Sequence, residues 1–129
     1  AYGDFYTDYL KKLKMKFHYI DIGANIGLYS LIASKNDNCI KIDAFEPNPL
    51  IYKNLKKNLS HLNYATPNQV AITNKSEVIN FYINPKSSGS SQINNSTSNL
   101  KINAINRVSL KKIITRYVQL ITLKLGETL

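Results

Sequence analysis

The 129-residue chain predicts one α/β domain built on a parallel sheet with flanking helices. Two observations predict it. Short β-branched and aromatic runs alternate with runs of helical period, and a glycine turn joins the first strand-like run to the helix behind it. Apolar residues make up 43% of the chain, enough for a real core in a domain of this length.

Phe5, Tyr9 and Leu13 recur at helical spacing with Tyr6 and Leu10 beside them, so an amphipathic helix comes first. Lys11, Lys12 and Lys14 crowd its C-terminal end, where cations suit the helix dipole. Phe17 to Ile22 reads as a strand, Gly23 to Gly27 as a turn, and Leu28 to Lys35 as a helix stopped by Asn36, Asp37 and Asn38. Cys39 to Phe45 is the second strand. Asn48 then caps a helix with Pro49 at its first position, and Ile51, Leu55, Leu59 and Leu62 form its buried face. Gln69 to Ile72 and Val78 to Ile83 read as two further strands around a turn at Asn74, Lys75 and Ser76. Residues Lys86 to Asn99 are rich in Ser, Asn, Thr and Gly and read as a loop or linker. An apolar pattern resumes at Lys101, with a helix expected around Leu110 to Arg116 and a strand at Val118 to Leu125.

Charge is unevenly placed. The net charge is +9, and residues 48–129 hold eleven basic residues against Glu77 and Glu127 alone. A basic half suits anionic partners. Yet 15 lysines, 16 asparagines and 16 isoleucines point to compositional bias, and only two arginines are present for bidentate phosphate contacts. Nucleic acid is therefore the unfavoured partner. The single cysteine, Cys39, excludes an internal disulfide framework and a cysteine-based zinc site, and no metal site is expected. With no run of about 20 apolar residues and no leader pattern, the expectation is a cytoplasmic domain without a membrane span.

The chemistry concentrates in His18-Tyr-Ile-Asp21-Ile-Gly23-Ala-Asn25-Ile-Gly27-Leu-Tyr-Ser30. Glycines let the backbone approach a ligand closely. Glu46 follows Gly27 by nineteen residues and ends the second strand, where an acid accepts ribose hydroxyls. Together these predict a nucleoside-containing cofactor in a Rossmann-like sheet. Asp21 selects among such cofactors. The dinucleotide fingerprint has a glycine there because a pyrophosphate packs on bare backbone. An aspartate repels pyrophosphate and suits a head carrying an ammonium and a sulfonium, as in S-adenosylmethionine. A purely structural glycine turn is the competing reading.

The run from Tyr19 to Ser30 and the run Phe45-Glu-Pro-Asn-Pro49 resemble the FkbM family of S-adenosylmethionine-dependent methyltransferases. Leu55-Lys-Lys-Asn58, Val70-Ala-Ile-Thr-Asn74 and Ser88-Gly-Ser-Ser91 are also similar, so the likeness covers roughly residues 17–93. The resemblance implies a class I methyltransferase fold, S-adenosylmethionine as cofactor, and O-methylation of a sugar or other small hydroxyl compound. It implies Asp21, Gly23, Asn25 and Gly27 around the methionine part, Glu46 on the ribose, and Ala71 and Ile72 near the adenine.

Toward the C-terminus the chain departs from that pattern. Lys111 and Lys112 follow Leu110 where the family has acids, and Gly126 follows Leu123-Lys124-Leu125 where it has an aspartate. The expectation is a partial domain over residues 1–129, its sheet incomplete at the C-terminus, its strand at Val118 to Leu125 an exposed edge prone to self-association. No catalytic base is assigned; His18 and His61 lack a nucleophile at a recognisable spacing and are read as structural. A nucleic-acid methyltransferase and a non-catalytic cofactor-binding remnant are the alternatives.

Overall fold

The computed structural model describes residues 2–74, 76–82 and 99–106. Among them the order is α1 (Tyr2–Lys12), β1 (Phe17–Ile22), α2 (Leu28–Ser34), β2 (Cys39–Phe45), α3 (Pro49–Leu59), β3 (Ala65–Asn68), β4 (Ala71–Thr73), β5 (Glu77–Tyr82) and β6 (Asn99–Asn106). The first sheet is β1-β2-β3, parallel throughout, with Asp21 opposite Ala44 and Phe45 opposite Asn68. The second is β4-β6-β5, in which β6 runs parallel to β4 and antiparallel to β5.

All three helices pack on one face of the parallel sheet. Leu10 of α1 and Ala33 of α2 bury against Tyr19, Cys39 and Ile42. Leu55 and Leu59 of α3 bury against Ala44, with Leu31 of α2 and Ala65 of β3 beside them. Ile42 and Ala44 lie two apart on one strand and so share a face. Two successive right-handed crossovers stepping in the same direction produce this one-sided arrangement. On the other face His18 Nε2 lies 2.7 Å from the Asp43 carboxylate, and Lys41 Nζ donates to Thr66 Oγ1 at 2.7 Å. Because the strands are parallel, their carboxyl ends share one edge, and the turns after Ile22, Phe45 and Asn68 gather there.

The predicted ranges of β1 and β2 are observed unchanged, and α2 stops one residue early with Lys35 as its cap. Asn48 caps α3 through its side chain, which accepts from the Leu50 amide, and Pro49 holds the first helical position. Other expectations need correction. Leu10 of α1 and Leu13 just beyond it meet the core, whereas Phe5 and Tyr9 are exposed. The helix is rotated because Asn36 holds its end, donating to the carbonyls of Leu10 and Leu13 at 2.8 and 2.9 Å. The strand expected at Gln69 to Ile72 is displaced: β3 ends at Asn68, and β4 starts at Ala71. β3 contains Pro67, and among the described residues it is an edge strand, where a proline costs no ladder bond on its open side. A single sheet was expected and two are present among the described residues, with β6 falling where no strand was expected. The serine-rich loop lies outside the described residues except for Asn99, as do the expected helix at Leu110 to Arg116 and the strand at Val118 to Leu125.

Candidate functional site

The turn after β1 is sewn to the end of β2. The amides of Gly23 and Ala24 both donate to the Phe45 carbonyl at 2.9 Å, and the Gly27 amide donates to the Ala24 carbonyl at 2.9 Å. Three residues of this turn have positive φ: Gly23 at 73°, Asn25 at 53° and Gly27 at 90°. The two glycines serve different ends. A Cβ on Gly27 would stand 2.8 Å from Leu55 Cδ1, so this glycine lets α3 close against the turn. A Cβ on Gly23 would meet nothing within 4 Å. The space in front of Gly23 is open, and its backbone is bare to whatever enters there.

Two buried acids flank the turn. Asp21 is 7% exposed, and its Oδ2 accepts from Ser30 Oγ at 2.6 Å. Glu46 is 7% exposed; its Oε2 accepts from the Asn25 amide at 3.0 Å and its Oε1 from the Asn48 amide at 2.8 Å. Burial raises both carboxyls above their ordinary range, and the hydrogen bonds they accept offset part of that rise. The Asp21 charge lifts Glu46 further. Among the described residues no lysine, arginine or histidine forms an ion pair with either acid. Buried carboxylates ordinarily have a cationic partner, and these two have neutral hydrogen-bond donors instead.

The structure thus brings Asp21, Gly23, Asn25, Gly27 and Glu46 into one turn. Ala71 and Ile72 lie in β4, three and four residues beyond Asn68, whose carbonyl accepts the Glu46 amide at 3.0 Å. Ala71 is buried and Ile72 partly so. Three contacts at the turn were not legible beforehand. Ser30 binds Asp21, the Asn48 amide binds Glu46, and Asn58 Nδ2 donates to the Ile26 carbonyl at 2.7 Å. Ser30 had a signal: it stands in the first turn of the helix that the glycine turn opens, where a side chain can fold back on the strand end.

His18 is three residues from Asp21 on β1, so its side chain points to the opposite face of the sheet. His61 is exposed in the turn after α3. Among the described residues no three His, Cys, Asp or Glu side chains gather to hold a metal. No helix among them is long and apolar enough to cross a membrane.

No curated protein and no solved structure matches the chain. The family model described as the methyltransferase FkbM domain matches residues 21–127. That match runs well past residue 93, through the segment where Lys111, Lys112 and Gly126 depart from the motif pattern. It opens at Asp21, the first acid of the turn, and contains every residue of the candidate site. With most of its length inside that match, the chain belongs to the FkbM methyltransferase family.

Proposed function

We propose that this protein binds S-adenosylmethionine at the turn between Asp21 and Glu46 and transfers its methyl group to a hydroxyl of a small, glycan-like acceptor. The reading takes residues 1–129 as one Rossmann-like, class I domain. The observation that carries it is the pair of buried acids flanking an open glycine turn with, among the described residues, no cationic side chain paired with them. A ligand bearing an ammonium and a sulfonium supplies the missing positive charge. A pyrophosphate would add to the negative charge, which argues against NAD.

The residues fit that group. Asp21, held by Ser30, keeps a fixed carboxylate beneath the turn for the cationic methionine part. Glu46 has about four acceptor sites and gives two to backbone amides, so two remain for the ribose hydroxyls. Gly23 leaves room for the ligand's close approach, and Asn25 and Gly27 shape the turn behind it. Ala71 and Ile72 offer apolar surface suited to the adenine. When bound, the cofactor supplies a methyl group already activated by its sulfonium, so alignment of the acceptor does most of the remaining work.

Incubating the chain with methyl-labelled S-adenosylmethionine and a panel of glycans, small alcohols and oligonucleotides tests the proposal. Label on small hydroxyl acceptors is the expected result. Label on oligonucleotides, falling steeply with salt, would overturn the acceptor class. Absence of any cofactor binding would overturn the site itself.

A further inference from the structure

We infer that Asn58 is a positioning residue for the cofactor turn, acting through the Ile26–Gly27 peptide; this rests on the cofactor reading given above. Helix α3 forms the wall behind the turn. Leu55, Asn58 and Leu59 occupy i, i+3 and i+4 on it and so share one face. Leu55 and Leu59 lie against the place where Gly27 lacks a side chain, at 2.8 and 3.6 Å from the Cβ position. From that same face Asn58 Nδ2 donates to the Ile26 carbonyl at 2.7 Å.

This bond holds the carbonyl side of the Ile26–Gly27 peptide, whose amide side donates to the Ala24 carbonyl at 2.9 Å. Gly23 and Ala24 are held by the Phe45 carbonyl, and Asn25 is held by Glu46. Past Asn25 the chain must turn from φ 53° at Asn25 to φ 90° at Gly27 with Ile26 between them. Both flanking residues are left-handed, which glycine adopts freely but which costs Asn25 and needs restraint from the surroundings. Ile26 itself is 48% exposed, so its side chain supplies little anchorage. Asn58 is therefore the side chain that restrains the Ile26–Gly27 peptide from outside the turn, beside the Gly27-to-Ala24 bond within it. An aspartate has nearly the same shape but no N–H, and its carboxylate would repel the carbonyl that Asn58 now holds.

The test compares wild type with Asn58→Ala, Asn58→Asp and, as a surface control on α3, Lys57→Ala. Amide hydrogen exchange at Asn25, Ile26 and Gly27 is measured without cofactor, and S-adenosylmethionine affinity is measured by calorimetry. The expected result is faster exchange confined to the turn in both Asn58 variants. Affinity should fall about tenfold in Asn58→Ala, the loss of one well-made hydrogen bond, and further in Asn58→Asp. Urea midpoints should stay near that of Lys57→Ala, because the bond is at the surface. Unchanged turn exchange, or affinity lost only in step with global stability, overturns the inference. If wild type fails to bind S-adenosylmethionine, the cofactor reading falls, while the exchange arm still decides whether Asn58 holds the turn.

Discussion

Gly27→Ala is predicted to destabilise the fold by coupling directly to Leu55. Two costs combine at this position. A side chain at φ 90° is strained by about 1–2 kcal/mol. The new Cβ would also stand 2.8 Å from Leu55 Cδ1, and Leu55 is fully buried, so relief of the clash should cost about 1–3 kcal/mol more. Leu55→Ala alone empties a buried site and should cost about 2–5 kcal/mol. In the double variant the clash disappears because the methyl group it involved is gone. The two changes should therefore fall short of additivity by about 1–3 kcal/mol. Urea denaturation followed by circular dichroism measures all four corners of the cycle, with equal m-values as the check on two-state behaviour. Additivity within about 0.5 kcal/mol would refute the claim that Gly27 exists to admit α3.

Gly23→Val should behave differently: a modest stability loss from its positive φ, an intact circular dichroism spectrum, and abolished cofactor binding, since only open space faces it. Retained affinity would make the turn structural only. Ser30→Ala should cost about 1.5–3 kcal/mol, the worth of a buried hydrogen bond to a charged acceptor, and thermal or urea unfolding checks it. The raised carboxyls of Asp21 and Glu46 set a pH dependence. Their folded forms hold protons more tightly than the unfolded chain does. They therefore favour the unliganded fold at low pH, and that contribution is lost as pH rises from the ordinary carboxyl values through the raised ones. A cationic ligand selects the ionised acids, so its affinity should rise across the same window, as calorimetry at several pH values would register.

The parts of the fold that could be read from sequence are those set by local chemistry. An Asn-Pro cap fixes where α3 starts, and β-branched runs ending at glycine or at Glu-Pro fix β1 and β2. What escaped reading depends on neighbours. Pro67 is acceptable in β3 because that strand is, among the described residues, an edge of its sheet. Which stripe of α1 is buried depends on the grip of Asn36, a residue outside the helix. β6 alternates Leu100, Ile102 and Ala104 with polar residues, a signal hidden by the asparagine-rich stretch before it. At the site, glycines and acids were legible because the turn is contiguous and Glu46 ends the next strand. The donors behind them, Ser30 to Asp21 and Asn58 to the Ile26 carbonyl, were not singled out, because each contact is made only once its helix has packed on the turn.

The central claim, that the acids around the glycine turn hold a cationic nucleoside cofactor, is tested most directly by calorimetry. S-adenosylmethionine, its demethylated product and NAD would each be titrated into the wild-type chain and into Glu46→Ala. The account predicts binding of the first two and not of NAD, with Glu46→Ala weakening both by about 1–3 kcal/mol through loss of charged hydrogen bonds. Equal binding of NAD, or an affinity indifferent to Glu46, would contradict it.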